Sequence, residues 1–335
     1  MYICTLSKMM KDRTDYVTLY RIAKAYYLEN QSQFRIAKEE NISRPHVSRL
    51  LSKARQLGIV TIKVEMPNQM HVDKLQDDIQ NLLGLKKVLL ADVSNEDLRN
   101  PKILARSIAT LAAENLMELL GDANQVGVGW GYTIYQTSLM LPKAKLGQSV
   151  TFVPLVGMSD ESNPYLQNNV IIDRFAEKFN ASSYYTSLPA YYERHSTKGK
   201  AERDRYSRLR QRWERLDAAV VGLGPRFKNG DFLIREASEE YKQLIAGSEV
   251  VGDILASFFF ENGTLLDSHE YYEQVSLPLP RLKEIRNVIC LAGGTEKVPG
   301  LIAAARNGYI KTLITDINTA QLIIRKIQDG ESEMA

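Results

Sequence analysis

Apolar and polar positions follow two different rhythms along this chain, and the change comes at Gly84. Before it the apolar residues keep helical spacing. From Asp15, the residues Val17, Tyr20, Ile22, Ala23, Tyr26, Tyr27 and Leu28 form one broad helical face. Ser32 caps a second helix, Gln33 to Glu40, which Asn41-Ile42-Ser43 breaks. A third helix runs from Arg44 to Leu57, with Gly58 as its stop. Ser43 is its N-cap, because a serine hydroxyl there can accept from a backbone N–H one turn in. Pro45 is tolerated, since first-turn N–H groups have no intrahelical partner. Ile59 to Val64 alternates as a β-ribbon does, and Pro67 ends it. His71 to Leu83 predicts a further helix, with Val72, Leu75, Ile79, Leu82 and Leu83 on one side.

After Gly84, β-rich apolar runs alternate with amphipathic helices. The predicted strands are Lys87–Val93, Gln125–Gly129, Val150–Val156, Ala218–Gly224, Val288–Ala292 and Thr312–Ile314. Each precedes a helix: Lys102–Leu119, Thr133–Leu141, Val170–Phe179, Glu236–Ile245, Leu301–Ala305 and Ala320–Ile327. Repeated strand–helix units predict an α/β, Rossmann-like, mostly parallel sheet with helices on both faces. Three regions are therefore expected: a winged helix-turn-helix over 1–66, a linker or dimerisation helix over 67–84, and an effector-binding and oligomerisation domain over 85–330.

In the hairpin, Ile36, Ile42, Val47 and Leu50 fall where two such helices need apolar contacts, and Ala37 is small where they cross. Glu40 takes a position that is usually apolar, which predicts looser packing of its helix. Ser43, Arg44, Pro45, His46, Ser48 and Arg49 then lie outward near the start of the second helix of the pair, with Lys53 a turn further on. Those are the positions that reach base edges and phosphates in a major groove. Charge supports this reading. Residues 1–65 hold 12 Lys+Arg against 6 Asp+Glu, while 66–335 hold 31 against 34. The whole-chain +3 thus hides a basic head on a slightly acidic body. The plain alternative is a helical hairpin with a solvated outer face.

Composition narrows the rest. Only Cys4 and Cys290 are cysteines, which argues against a disulfide scaffold or a cysteine zinc site and fits a reducing cytoplasm. The four histidines are 46, 71, 195 and 269, with none four residues from another, so no metal site is expected. No apolar run is long enough for a membrane span or an early signal segment. The expected protein is cytoplasmic, with no membrane partner and no cofactor.

Ligands of parallel sheets bind beyond the carboxyl ends of the strands, and glycine-rich turns gather there. Gly127-Val128-Gly129-Trp130-Gly131-Tyr132-Thr133 leaves a strand and enters a helix. Glycines let backbone N–H groups approach an anion, and the helix dipole helps hold it. Position 132 is Tyr, so the dinucleotide pattern G-x-G-x-x-G fails. Val156-Gly157-Met158-Ser159, Gly222-Leu223-Gly224-Pro225 and Gly293-Gly294-Thr295-Glu296-Lys297 follow other strands, and Lys297 adds a cation. Asp253, after Gly252, can accept from a sugar hydroxyl or cap the next segment. The basic run Arg194–Arg215 reads as a solvated helix face or loop, and Asp316 as a helix N-cap. No nucleophile with a positioned base is evident, so no catalytic residue is expected.

The order of these parts, NISRPHVSRLL, then GVGWG, VGLG, VGDI with FFFENG, AGG with a following Lys, and GYIKTLITDINTA, resembles the SorC/DeoR-type family of bacterial sugar-sensing transcriptional regulators. The resemblance runs from about Tyr16 to Ile327. It implies a body related to sugar-phosphate isomerases and CoA transferases that senses rather than catalyses. It also implies an effector that is a small phosphorylated sugar, double-stranded operator DNA as partner, and a homodimer or homotetramer. By it, Gly129, Gly131, Tyr132, Thr133 and Lys297 surround the phosphate, with Asp253 on the sugar; Gly157, Gly293 and Gly294 complete the loops. Two positions depart from the family pattern: Tyr132, where relatives carry a small polar or basic residue, and Val156, where a lysine would offer an amine. The expectation is a carbohydrate-operon repressor controlled by a sugar phosphate. Its rivals are a regulator sensing an organic acid such as citrate, and a phosphosugar isomerase or deaminase with a DNA-binding head.

Overall fold

A computed structural model describes residues 16–61, 69–94, 96–146, 149–159, 163–193, 198–226 and 239–333. The chain separates into two compact units, Met1–Gln69 and Met70–Ala335.

In the first unit, α1 spans 16–27, α2 Gln33–Glu39 and α3 Arg44–Gln56. Leu19, Ile22 and Ala23 of α1 close a core with Ile36, Ala37, Val47, Leu51 and Ala54. The buried stripe of α1 is narrower than the sequence reading. Leu19 sits inside it, while Val17, Tyr20 and Leu28 are exposed, because a helix buries positions three and four apart and turns the rest outward. Ser32 Oγ accepts from Arg35 N–H and Ser43 Oγ from His46 N–H, so both helices start on the expected caps. Asn41 makes the corner at φ 53°, the left-handed conformation that asparagine tolerates at a helix end. Glu40 makes an ion pair where an apolar contact is usual. Its carboxylate takes a two-pronged bond from Arg21 at 2.7 and 2.6 Å, tying the end of α2 to α1. The expected wing extends beyond Thr61, outside the described residues.

Helix α4, Gln69–Leu83, begins at the boundary, lies otherwise in the second unit and ends at Gly84 with φ +65°. Its Ile79 and Leu83 are buried in the body's own core, and Val72 and Leu75 pack against it. Leu82, grouped with them by periodicity, is 40% exposed. Seven parallel strands follow: β1 (Lys87–Ala91), β2 (Gln125–Val128), β3 (Thr151–Pro154), β4 (Ser182–Ser183), β6 (Ala218–Gly222), β10 (Asn287–Leu291) and β11 (Thr312–Asp316), in the order β1-β11-β10-β6-β2-β3-β4. Every pairing in this sheet is parallel. All five positions of β11 are buried, side chains on both faces included, so the sheet is covered on both sides as parallel sheets require. The covering helices are α5 (Pro101–Leu120), α6 (Tyr132–Met140), α7 (Asn168–Phe179), α8 (Lys200–Trp213), α10 (Val298–Arg306) and α11 (Ile317–Glu333), while α9 (Glu239–Gly247) packs its Tyr241 and Ile245 with Val250 and Phe258 in a separate small cluster.

Periodicity missed the small pieces: edge strand β4, the antiparallel pair β5 (Tyr191–Glu193) with β9 (Tyr272–Gln274), and the hairpin β7 (Gly252–Ile254) with β8 (Ser257–Phe259). Strands of two or three residues carry too short an alternation to read. The described part of the basic run forms α8. Its Leu209 and Trp213 are buried, Trp213 Nε1 donates to Pro154 O at 2.8 Å, and most of its arginines face outward. Among the described residues no helix is long and apolar enough to cross a membrane.

Candidate functional site

Two sites emerge, one in each unit. On α3, Val47, Leu51 and Ala54 are buried, which turns Ser43, Arg44, Pro45, His46, Ser48, Arg49 and Lys53 to the surface. The capping bond uses Ser43 Oγ as acceptor and leaves its proton to donate elsewhere.

The second site is a cavity of about 440 Å³ in the body. Chain order places it. β2 leads through α6 to β3 on one side, whereas β6 leads on to β10 on the other, and β2 and β6 are neighbours. Their following loops diverge and leave a crevice at the switch point. Trp130 to Ile134 and Gly222 to Pro225 line it, one stretch from each of the two loops. The β7–β8 hairpin contributes Asp253, Leu255 and Phe258, α5 contributes Pro101, Lys102 and Ala105, and Lys297 reaches in beside Leu291.

The polar groups are few and distinct. α6 starts at Gly131, whose φ of +123° suits glycine, and no side chain caps its first turn. The first-turn N–H groups of Tyr132, Thr133 and Ile134 have no intrahelical acceptor and carry the positive end of the helix dipole. Burial pulls the Lys297 ammonium below the usual lysine range, while Cys290, Asp253 and Glu296 pull it back up. Behind it, burial pushes the Cys290 thiol up to about 12, and the Lys297 charge opposes that rise. Asp253 is buried and its Oδ2 accepts from Ala256 N–H at 3.2 Å. Its Oδ1 lies over Gly224, where a Cβ would stand 1.8 Å from it, so only glycine fits beneath the carboxylate. The ring of Tyr132 meets that of Tyr165 edge to face at 5.9 Å.

Of the residues expected around an effector, the fold brings Gly131, Tyr132, Thr133, Asp253 and Lys297 to this cavity. The other four do not line it, and each has a structural reason to be glycine. Gly129 N–H donates to Val220 O, and its Cα packs under Leu255. Gly157 N–H donates to Val275 O, and a Cβ there would strike Pro189 O at 2.4 Å. Gly293 leaves room for Asp316 Oδ2, and Gly294 holds φ +111°, a conformation that favours glycine, while its N–H donates to Thr319 Oγ1 at 2.7 Å. That hydroxyl also bonds Asp316, which accepts Thr319 N–H and so caps α11 as expected. The Gly293–Gly294 turn is therefore a clasp between β10 and the start of α11. Lys102 and Tyr165 were not found by sequence reasoning. Asn100 caps α5 by accepting from Lys102 N–H, with Pro101 in the first turn, which sets Lys102 at the start of the helix after β1, whereas nothing local marks Tyr165.

Comparison with known proteins sets these sites in a family. Residues 68–325 match the family described as "Putative sugar-binding domain". The sorbitol operon regulator of Klebsiella pneumoniae is 28% identical over 320 residues, covering 94% of this chain and all of that protein. The deoxyribonucleoside regulator of Bacillus subtilis (strain 168) is 30% identical over 308 residues, covering 91% and 96%. The crystal structure of full-length SorC from Klebsiella pneumoniae superposes with a TM-score of 0.72 at 27% identity, over 92% of this chain and 99% of that one. A regulator structure from Streptococcus pneumoniae TIGR4, at 22% identity and TM-score 0.67 over 78% and 99%, shares the fold. A helix-turn-helix head and an α/β body with a cavity at its strand ends, in a chain whose relatives are regulators and not enzymes, define a sugar-responsive transcriptional regulator. The chain belongs to the sugar-binding-domain family and is a SorC/DeoR-type member of it.

Proposed function

We propose that this chain is a repressor of a carbohydrate operon whose operator affinity is set by a phosphorylated sugar held in the body's cavity. The observation that carries the reading is one juxtaposition. An uncapped helix start and the Lys297 ammonium share a cavity with the buried carboxylate of Asp253. The first two attract an anion. A carboxylate has about four lone-pair sites, enough to accept sugar hydroxyls besides Ala256 N–H. Tyr132, Tyr165 and Trp130 supply flat apolar surface for the carbons of a sugar. Arg44 and Arg49 read base edges, Ser43, Pro45, His46 and Ser48 set the helix in the groove, and Lys53 holds the backbone. Association of bodies into dimers or tetramers joins two heads to two half-sites.

The test is binding of fluorescent duplexes from the protein's own upstream region, titrated with ribose 5-phosphate, glucose 6-phosphate, the unphosphorylated sugars and citrate. A phosphorylated sugar is expected to shift DNA affinity about 5- to 150-fold, and its free sugar is expected to do nothing. A response to citrate alone would make the body an organic-acid sensor, and turnover of a sugar phosphate would make it an enzyme.

A further inference from the structure

Phe34, at the second position of α2, is 73% exposed. Single exposed apolar side chains are ordinary, and Val17 and Tyr20 on α1 and Leu28 just after it are others. Phe34 differs in what surrounds it. It shares a surface depression with Ala37, Lys38, Asn41, Ser43 and Arg44, at the corner where α2 meets the start of α3. Ser43 and Arg44 begin the reading helix. No carboxylate lines this depression, and Lys38 and Arg44 make it cationic, so its charge complements a phosphate backbone.

A helix that enters a major groove by its first turn carries this corner to the edge of the groove. The groove floor is made of hydrogen-bonding groups with one apolar exception, the C5 methyl of thymine, which phenylalanine and other apolar side chains contact. We propose that Phe34 is a specificity-determining residue that reads one thymine methyl at the border of each half-site, beside the bases read by Arg44. The inference rests on the head being the DNA-binding unit.

The experiment uses the full-length chain. An operator is selected from randomised duplexes, and each thymine is then replaced singly by deoxyuridine, which removes only the methyl. At one thymine per half-site the loss of the methyl is expected to weaken the wild-type protein about fourfold, the value of one methyl-sized group. Phe34→Ala is expected to bind the thymine operator about fourfold more weakly and to be indifferent to uracil at that position. Phe34→Leu is expected to keep part of the discrimination. Four results overturn the inference alone: uracil tolerated at every position; equal uracil penalties in wild type and Phe34→Ala; a Phe34→Ala loss that ignores the thymine; or a changed oligomeric state in Phe34→Ala, which would place a protein partner on the ring. A chain that selects no duplex overturns the DNA-binding reading and the inference with it.

Discussion

At the scale of single residues, Lys297 has the clearest consequence. Its pKa is held below the ordinary 10.5, mainly by burial. Below its folded-state pKa the ammonium is charged and underhydrated, which costs stability. That cost shrinks as pH rises from the folded-state pKa towards 10.5, because over that window the folded chain has released the proton while the unfolded chain still holds it. Lys297→Met is therefore expected to stabilise the ligand-free protein at neutral pH and to flatten this part of its pH–stability curve, read by thermal unfolding. The same change removes a charge-assisted bond to an anion, typically about 1.5–3 kcal/mol, or roughly 10- to 150-fold in affinity. Wild-type affinity for a sugar phosphate is expected to fall as pH climbs through the lowered lysine pKa, measured by calorimetry. Gly224 offers a complementary check. In Gly224→Ala the new methyl meets Asp253 Oδ1 and displaces the carboxylate. Calorimetry is expected to show sugar-phosphate binding at least tenfold weaker, and near-native unfolding would confirm that only the carboxylate moved. The Cys290 thiol, pushed up to about 12, is expected to resist thiol reagents until the chain unfolds.

At the scale of elements, the α2–α3 corner was legible because its signals are local. Serine caps, an asparagine in the turn and a proline in the first turn each act within a few residues. Ser43→Ala is expected to cost the head about 1 kcal/mol of stability, visible as a lower melting temperature. Arg49→Ala is expected to cost roughly 1–3 kcal/mol of operator affinity if it makes a bidentate base contact, visible in anisotropy titrations. The long strands and helices of the body were legible for the same reason, since their periodicity extends over enough residues. The glycine loops were not. Gly131 and Gly157 both follow strands and look alike in sequence, yet one opens a cavity and the other admits the backbone at Pro189. Only residues far away in the chain distinguish them. Glu40 shows the same limit, since its partner Arg21 lies 19 residues earlier.

At the scale of the whole molecule, opposite charge balances follow the two units. The basic head predicts that operator affinity falls steeply with salt, with a log–log slope of about −0.9 per phosphate neutralised. Replacing Lys53 by Ala is expected to reduce that slope by about one and to leave sequence preference unchanged. The body's cavity, in contrast, draws on loops from Pro101 to Lys297, so no short piece of the body reproduces it.

Among the described residues the first strand of the sheet has the last as its one strand neighbour, Lys87 through Ala91 against Thr312 through Asp316. On the ribosome this imposes an order of events. The head carries its own core, whereas β1 must wait for almost the entire remainder of the polypeptide. At about 5–20 residues per second that delay amounts to some tens of seconds. During it the head's core is already complete, while the sheet that frames the body's cavity still lacks its edge strand.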